Sequence, residues 1–137
     1  MKFFRSVSIA LVAVFAFNGA MAADIKLPEY QTVALDNGAT VLLMPRKDVP
    51  LIAASIAVRG GALADAAGKE GTADLLGEML SKGAGTRDAL QFAQTVDGAG
   101  GSIGFGTSRE AIQANAQFLA KDSGLMLSLL ADALLRP

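Results

Sequence analysis

The chain has 137 residues, with 12 Lys and Arg against 13 Asp and Glu, and a formal net charge of −1. The basic residues are scattered, which excludes the clustered basic face that a nucleic-acid-binding protein needs. The chain contains no histidine and no cysteine. It therefore lacks the imidazole and thiolate ligands on which tetrahedral zinc sites depend, and it cannot form a disulfide.

The first 22 residues have the pattern of a secretory signal peptide. The pattern consists of a basic start, an apolar core and a small-x-small cleavage site: Lys2 and Arg5, residues 7–17, and residues 20–22. The apolar run is shorter than a membrane-spanning helix requires, so stable membrane insertion is not expected, although an uncleaved anchor is the alternative. We expect cleavage near Ala22 and export of residues 23–137 to a bacterial periplasm.

Three strands are predicted at the start of the exported chain. Residues 32–35 and 40–44 flank Asp36-Asn37-Gly38, which is a strong signal for a β-hairpin. Residues 51–58 form a nearly continuous apolar run rich in Ala and β-branched side chains. Such a run favours a strand that is buried on both faces, and a glycine pair ends it.

A helix is predicted over residues 71–82. Four apolar side chains recur at helical spacing and predict its buried face: Leu75, Leu76, Met79 and Leu80. The opposite stripe carries Asp74, Gly77, Glu78 and Ser81. A carboxylate such as Asp74 in the first turn stabilises a helix by about 0.3–1 kcal/mol through the dipole. Gly77 costs about 1 kcal/mol against Ala, so either close packing or an absence of selection explains it.

The second half of the chain predicts a helix, two strands and a final helix. Thr86 is the expected N-cap of the second helix, whose apolar positions are Ala89, Phe92, Ala93 and Val96. Residues 98–106 are rich in glycine but match neither the dinucleotide pattern nor the P-loop pattern, so a bulged or closely approached strand is expected. Residues 112–118 alternate apolar and amide side chains, as a half-buried strand does.

The final helix, capped by Asp122 or Ser123, is apolar around most of its circumference and needs partners on several sides. The element order is then β-β-β-α-α-β-β-α. This order predicts an α+β fold with a mainly antiparallel sheet flanked by helices.

The helix after residue 71 resembles the zinc-binding helix of the pitrilysin/insulinase-type metallopeptidases, relatives of the mitochondrial processing peptidase. That helix reads Gly-x-Ala-His-x-x-Glu-His followed by apolar residues, and Gly71, Ala73 and Met79-Leu80 fit it. Two His four residues apart lie on one helix face and can bind one Zn²⁺, while the Glu activates water.

The resemblance implies that all three functional positions of this helix have changed. Asp74 stands where the first His would be, Gly77 where the Glu base would be, and Glu78 where the second His would be. Asp74 and Glu78 could hold a hard cation, but two carboxylates on an exposed helix face are usually just solvated. No cofactor is therefore expected in this chain, and glycine supplies no general base.

The resemblance covers nearly all of the chain after the signal segment. Further matching positions lie before the helix, after it, in the later strand pair and in the final helix: Val58, Arg59, Gly61, Asp65, Lys82-Gly83, Thr86, residues 100–103, residues 107–110, residues 129–132 and residues 134–137. Gly104 is a departure, because the resemblance implies an Asn there, which in active members is expected to contact the substrate backbone. Gly104 is thus a candidate for the substrate cleft.

The family's domain continues past the position of Pro137, and its third metal ligand, a downstream Glu, would lie there too. We expect residues 23–137 to be the N-terminal part of such a domain, apparently truncated at the C-terminus. The resemblance implies a non-catalytic partner subunit that lines the peptide cleft of a periplasmic two-subunit peptidase. Its partners would be a zinc-bearing catalytic subunit and peptide substrates. Two alternatives stay open: an active peptidase with displaced ligands, and a non-enzymatic fragment or binding module.

Overall fold

The structure is a computed structural model that describes residues 28–137. The predicted signal segment, with its cleavage site near Ala22, lies outside the described residues. The chain divides into two compact units, Met1–Pro45 and Arg46–Pro137. Among the helices that the structure describes, none combines the length and the apolar character needed to cross a membrane.

The first unit contains the predicted hairpin. Strand β1 (Gln31–Ala34) pairs antiparallel with β2 (Thr40–Leu43). In the turn between them, Asn37 Oδ1 accepts a hydrogen bond from the Ala39 N–H at 3.0 Å. Gly38 has a φ of +85°, a conformation that glycine adopts without steric cost. The hairpin prediction is confirmed: β1 begins and ends one residue earlier than predicted, and β2 ends one residue earlier.

The second unit contains the remaining strands and the α-helices. In chain order they are β3 (Leu51–Arg59), α1 (Thr72–Met79), β4 (Gly83–Ala84), β5 (Arg87–Asp88), α2 (Ala89–Gly98), β6 (Ser102–Thr107), β7 (Ala111–Leu119) and α3 (Ser123–Leu135). Strands β3, β7 and β6 form an antiparallel sheet in that spatial order, and β4 pairs with β5. The predicted α+β class is confirmed. The two-residue strands β4 and β5 are additional, because such short strands leave no periodic signal.

The core of the second unit lies on one face of the three-stranded sheet. From Ile112 to Phe118, strand β7 alternates as predicted, with its amide side chains exposed and its apolar side chains buried. The apolar side chains of β7 pack against α2 and α3, and the core comprises Phe92, Val96, Ala114, Ala116, Phe118, Met126, Leu129, Leu130 and Ala133, with Ala84. Gly101 lies so close to Phe118 that a Cβ would come within 2.5 Å of the ring, which confirms a closely approached backbone before β6.

The prediction that residues 51–58 are buried on both faces is wrong. Along β3, Ile52, Ala54 and Ile56 are half-buried, while the side chains between them are exposed. Within the second unit β3 is an edge strand that pairs only with β7, and helices cover only one face of its sheet. An apolar run with small side chains therefore occurs here in a strand with one packed face.

The prediction of Thr86 as the N-cap of α2 is also wrong. Asp88 is the N-cap, and its carboxylate accepts the Gln91 N–H at 2.8 Å. The Gln91 side chain accepts the Asp88 N–H in return at 3.1 Å, which completes a capping box. The helix begins later than predicted because the chain is still extended through β5. Of the four predicted apolar positions, Phe92 and Val96 are buried, whereas the two alanines are exposed.

Helix α3 begins at the predicted place. Asp122 is its N-cap position, although the carboxylate makes no capping hydrogen bond. The helix packs its buried side against the core, while Leu127 and Leu135 remain exposed. The apolar circumference is therefore only partly covered by the described residues of this unit.

Candidate functional site

The N-terminus of α1, the helix with the degenerate motif, is held by an acidic residue in the preceding loop. Gly71 is the N-cap, with a φ of +92°. The Asp65 carboxylate accepts the Gly71 N–H at 2.7 Å and the Ala73 N–H at 2.9 Å. Asp65 thus satisfies donors that a helix start leaves unpaired. In the same loop, hydrogen bonds from the Glu70 and Gly68 N–H groups lower the pKa of the Glu70 carboxyl.

The predicted buried face of α1 is wrong for three of its four residues. Leu75, Leu76 and Met79 are exposed by 62%, 40% and 57%. The residues that are buried follow the spacing i, i+4 and i+7: Ala73, Gly77 and Leu80. Two of these are the smallest side chains in the helix. The helix approaches the sheet too closely for larger side chains, and apolar spacing alone cannot reveal that distance.

Gly77 is explained by close packing. A Cβ at this position would collide with Oγ1 of Thr107, at the end of β6. The same hydroxyl donates a hydrogen bond to the Ala73 carbonyl at 3.0 Å. Thr107 therefore joins α1 to the sheet, and it was not singled out as a site residue from the sequence. The only sequence signal was its place in the strand pair that resembles the family.

Asp74 and Glu78, the positions equivalent to the two His ligands, lie on the solvent side of α1. Both residues are exposed. Within residues 28–137, neither carboxylate forms an ion pair. The structure therefore separates the three motif positions, since the two ligand positions face solvent and the base position faces Thr107.

The residues at the motif do not fit zinc. The helix offers two carboxylates and a glycine where the family has two imidazoles and a carboxylate, and the whole chain has no histidine. Among the described residues, no group of three or more His, Cys, Asp or Glu side chains is arranged to hold a metal ion. The donor set therefore provides neither the ligands nor the base of zinc-dependent hydrolysis.

Gly104 lies in the middle of β6, opposite Asn115 of β7, which is in turn opposite Ser55 of β3. Asn115 Oδ1 accepts a hydrogen bond from the Ser55 hydroxyl at 2.9 Å. An open depression of about 560 Å³ lies on this part of the sheet, and a Cβ at Gly104 would meet no atom within 4 Å.

Side chains alternate along a strand, so Gly104 belongs to the face opposite the one on which Thr107 meets α1. The structure therefore does not bring Gly104 onto the same face as the motif helix. Its assignment to a substrate cleft stays a prediction.

A buried charged cluster holds the hairpin of β4 and β5 against α3. Asp132 is only 5% exposed. Its carboxylate accepts a hydrogen bond from Arg87 Nη1 at 3.0 Å and pairs with Arg136 on the other oxygen. The Gly85 N–H also donates to the Arg136 carbonyl at 2.8 Å. The only sequence signal for this cluster was that Asp132 and Arg136 are four residues apart, a spacing that favours an ion pair along a helix.

Comparison with known proteins identifies the family. The family model for insulinase, peptidase family M16, matches residues 41–137. A crystal structure described as a peptidase M16 inactive domain from Pseudomonas fluorescens is similar, with a TM-score of 0.74 and 25% identity. The match covers 80% of this chain but only 27% of that chain, so this chain spans about a quarter of its length. No curated protein matches.

These findings confirm the resemblance that the motif helix suggested. That similar structure is described as an inactive domain, and α1 of this chain has no histidine at either ligand position. With more than half of its residues matched by the family model, the chain belongs to the insulinase family of peptidases, peptidase family M16.

Proposed function

We propose that this chain is a non-catalytic M16 subunit that forms one wall of the peptide cleft in a two-subunit peptidase. A separate M16 subunit carries the zinc ion and the catalytic base. The observation that carries the proposal is that α1 keeps the helix of the family without its zinc-binding residues. The Asp65 carboxylate caps the helix and Thr107 packs against it. Its motif positions, however, are Asp74, Gly77 and Glu78.

The physical basis is that a peptide cleft between two subunits needs a binding surface from each of them, whereas hydrolysis needs a zinc ion in only one subunit. Function depends on the site that a fold presents rather than on the fold itself, so an M16 fold without ligands can still contribute surface. The open face of the sheet around Gly104 offers such a surface, with small side chains on β6 and amide side chains on β7.

The compartment of the proposed complex is the periplasm. Support comes from the first 22 residues, which have the basic start, apolar core and small-residue cleavage site of a secretory signal. The catalytic partner would be exported to the same compartment.

The test is co-purification from the native host. An affinity tag on the full chain should recover an M16 peptidase that has an intact His-x-x-Glu-His helix. Hydrolysis of an unfolded peptide by that enzyme should increase when the chain is added. Recovery of the chain alone, with no effect on the enzyme, would contradict the proposal and favour a fragment or binding module. Zinc-dependent hydrolysis by the chain alone would favour displaced ligands.

A cleft variant sharpens the same test. Gly104→Asn restores the family's residue at a position with free space, so the chain should fold normally. In the reconstituted pair the variant should change KM for the peptide with little change in kcat, because it adds a contact to bound substrate. Gly124→Ala, which also has free space but lies on α3, is the matched control and should leave both constants unchanged.

A further inference from the structure

We infer that Asn37 is a site of spontaneous deamidation and that the turn between β1 and β2 controls the rate of the reaction. Asn37 is exposed to solvent and is followed by Gly38. Glycine has no Cβ to shield its backbone nitrogen, so this nitrogen can approach the Asn37 side chain closely once the turn is open. The reactivity is independent of the proposed function, because it involves only residues of the hairpin.

The reaction needs water and no other reactant. The Gly38 nitrogen forms a bond to Cγ of Asn37, and the bond from Cγ to the side-chain nitrogen breaks. That nitrogen takes up the proton lost by Gly38 and leaves as ammonia, so a five-membered succinimide ring remains. Water then opens the ring at either carbonyl carbon. Opening at Cγ gives aspartate, whereas opening at the backbone carbonyl of Asn37 gives isoaspartate, in which the main chain runs through the side-chain carbons.

The folded turn has a defined type. The Gly38 N–H donates to the Leu35 carbonyl at 2.9 Å, which closes a four-residue turn with Asn37 in third place. The described residues with a positive φ are all glycines, so Asp36 and Asn37 have negative φ and the turn fits type I. The third residue of a type I turn has a ψ of about 0°.

This ψ is unsuitable for ring closure. The five-membered ring requires Cβ of Asn37 to eclipse the Gly38 nitrogen about the Cα–C bond. At a ψ near zero the backbone nitrogen of Asn37 is eclipsed instead, and tetrahedral geometry at Cα rotates Cβ away by about 120°. Since reacting atoms must be close and aligned, the closed turn opposes the attack.

Three hydrogen bonds hold the turn in this conformation. The bond from Gly38 to the Leu35 carbonyl must break before the Gly38 nitrogen can react. The Asn37 side-chain oxygen accepts the Ala39 N–H at 3.0 Å, and the Leu35 N–H donates to the Ala39 carbonyl at 2.8 Å. Opening of the turn therefore precedes deamidation.

The hairpin is built so that the turn can open without disruption of a core. Strands β1 and β2 have four residues each, and all of these residues except Val41 are exposed. Short exposed elements open locally more readily than core elements do. Deamidation in the folded chain is therefore slow, and each event adds a negative charge beside Asp36.

The two products differ in their effect on the hairpin. Aspartate keeps an oxygen that can accept the Ala39 N–H, so the turn can close again. Isoaspartate lengthens the main chain inside the loop that the Leu35 and Ala39 hydrogen bond closes. A chain with isoaspartate cannot restore the same register, because the turn sets the pairing of the two strands.

The first experiment compares the folded and the unfolded chain. The full chain is incubated at mildly alkaline pH with and without guanidinium chloride, and peptide mass spectrometry follows each asparagine. Asn115 is the internal control, because Ala116 follows it. In the denaturant, Asn37 should react at least about tenfold faster than Asn115, and Asn18, which also precedes a glycine, should match Asn37. Without the denaturant, Asn37 should react at least about tenfold more slowly than with it.

Two results of this experiment would overturn the inference. Equal rates at Asn37 and Asn115 in the denaturant would show that Asn37 is not a preferred site. Equal rates at Asn37 in the two conditions would show that the turn does not control the reaction.

The second experiment loosens the hairpin without altering the reacting residues. Val41→Gly weakens the pairing of β2 with β1 and should raise the rate at Asn37 in the folded chain about threefold. Val58→Gly makes the same change in β3 of the second unit and should leave the rate unchanged. No increase with Val41→Gly, or an equal increase with Val58→Gly, would show that opening of the hairpin is not the controlling step.

Discussion

Asp132 is the one buried carboxylate among the described residues, and its environment shows how a charge is kept inside this small unit. Burying a charge is costly unless charged hydrogen bonds compensate for lost hydration. Arg87 and Arg136 provide that compensation from two different elements. The cluster therefore fixes the hairpin of β4 and β5 against α3.

We expect Asp132→Asn to lower the free energy of unfolding by about 2 kcal/mol, because both arginines lose their charged acceptor. Arg87→Gln should cost more than Arg136→Gln, since the Arg87 side chain is 29% exposed and the Arg136 side chain is 69% exposed. Urea unfolding of the three variants measures the order of these losses in free energy of unfolding. Equal losses for the two arginine variants would show that burial does not govern the strength of these pairs.

Glu70 gives a pH dependence with a defined sign. Its pKa is lowered in the folded chain by hydrogen bonds from its own N–H and from that of Gly68. A lowered folded pKa stabilises the fold at pH values above the unfolded pKa, and this contribution is lost as the pH falls through the folded pKa. Glu70→Gln should therefore make the free energy of unfolding depend less on pH between the folded and the unfolded pKa of Glu70. Near neutral pH, the slope of the free energy of unfolding against pH should not change. An NMR titration of Glu70 checks the direction of the pKa shift.

At the scale of elements, α1 shows why apolar spacing is an incomplete guide to burial. Its leucines and methionine predicted one face, but Ala73 and Gly77 face the sheet because the two elements nearly touch. Ridges of large side chains keep helices at a distance, and small side chains permit close approach. The same helix thus presents a small-residue contact face and an exposed apolar face.

We expect Leu80→Ala to lower the free energy of unfolding by about 3 kcal/mol, because it removes a buried side chain. Leu75→Ala should change it by less than about 0.5 kcal/mol, because that side chain is 62% exposed. Both substitutions are the same chemical change, one within α1 and one at its C-cap, so each controls for the other. A loss at Leu75 as large as the loss at Leu80 would show that the exposed face is covered in solution.

At the scale of the whole molecule, an M16 fold is combined with a donor set that does not suit zinc. The family match and the structural similarity establish the fold. The absence of histidine from the entire sequence is a separate fact of chemistry. Both are consistent with the role proposed above, in which this chain contributes surface and a partner contributes the metal.

We expect the purified chain to contain well below one zinc ion per molecule after dialysis against trace zinc, because its motif offers no imidazole. In the complex with its catalytic partner, zinc should be present in proportion to the partner. Elemental analysis of the chain, the partner and the complex separates these contributions. Stoichiometric zinc in the chain alone would contradict the proposal.

Much of the fold could be predicted because its signals are local. The Asn37-Gly38 turn and the alternation along β7 depend on residues close in sequence, and the structure confirms both. The two-residue strands and the Asp88 cap were missed, because a helix boundary depends on where the preceding chain stops being extended. The single packed face of β3 was missed because strand burial depends on what covers the sheet.

The sequence by itself determined which chemistry this chain lacks. The residues Asp74, Gly77 and Glu78 at the motif positions exclude a zinc site built from imidazoles, and no coordinates are needed to see this. Only the tertiary structure decided why Gly77 is glycine and which face of α1 is buried. The contact between Thr107 and the first turn of α1 joins residues 34 positions apart, and the contact between Arg87 and Asp132 joins residues 45 positions apart. No local pattern encodes such distances, because they arise when separate elements pack together.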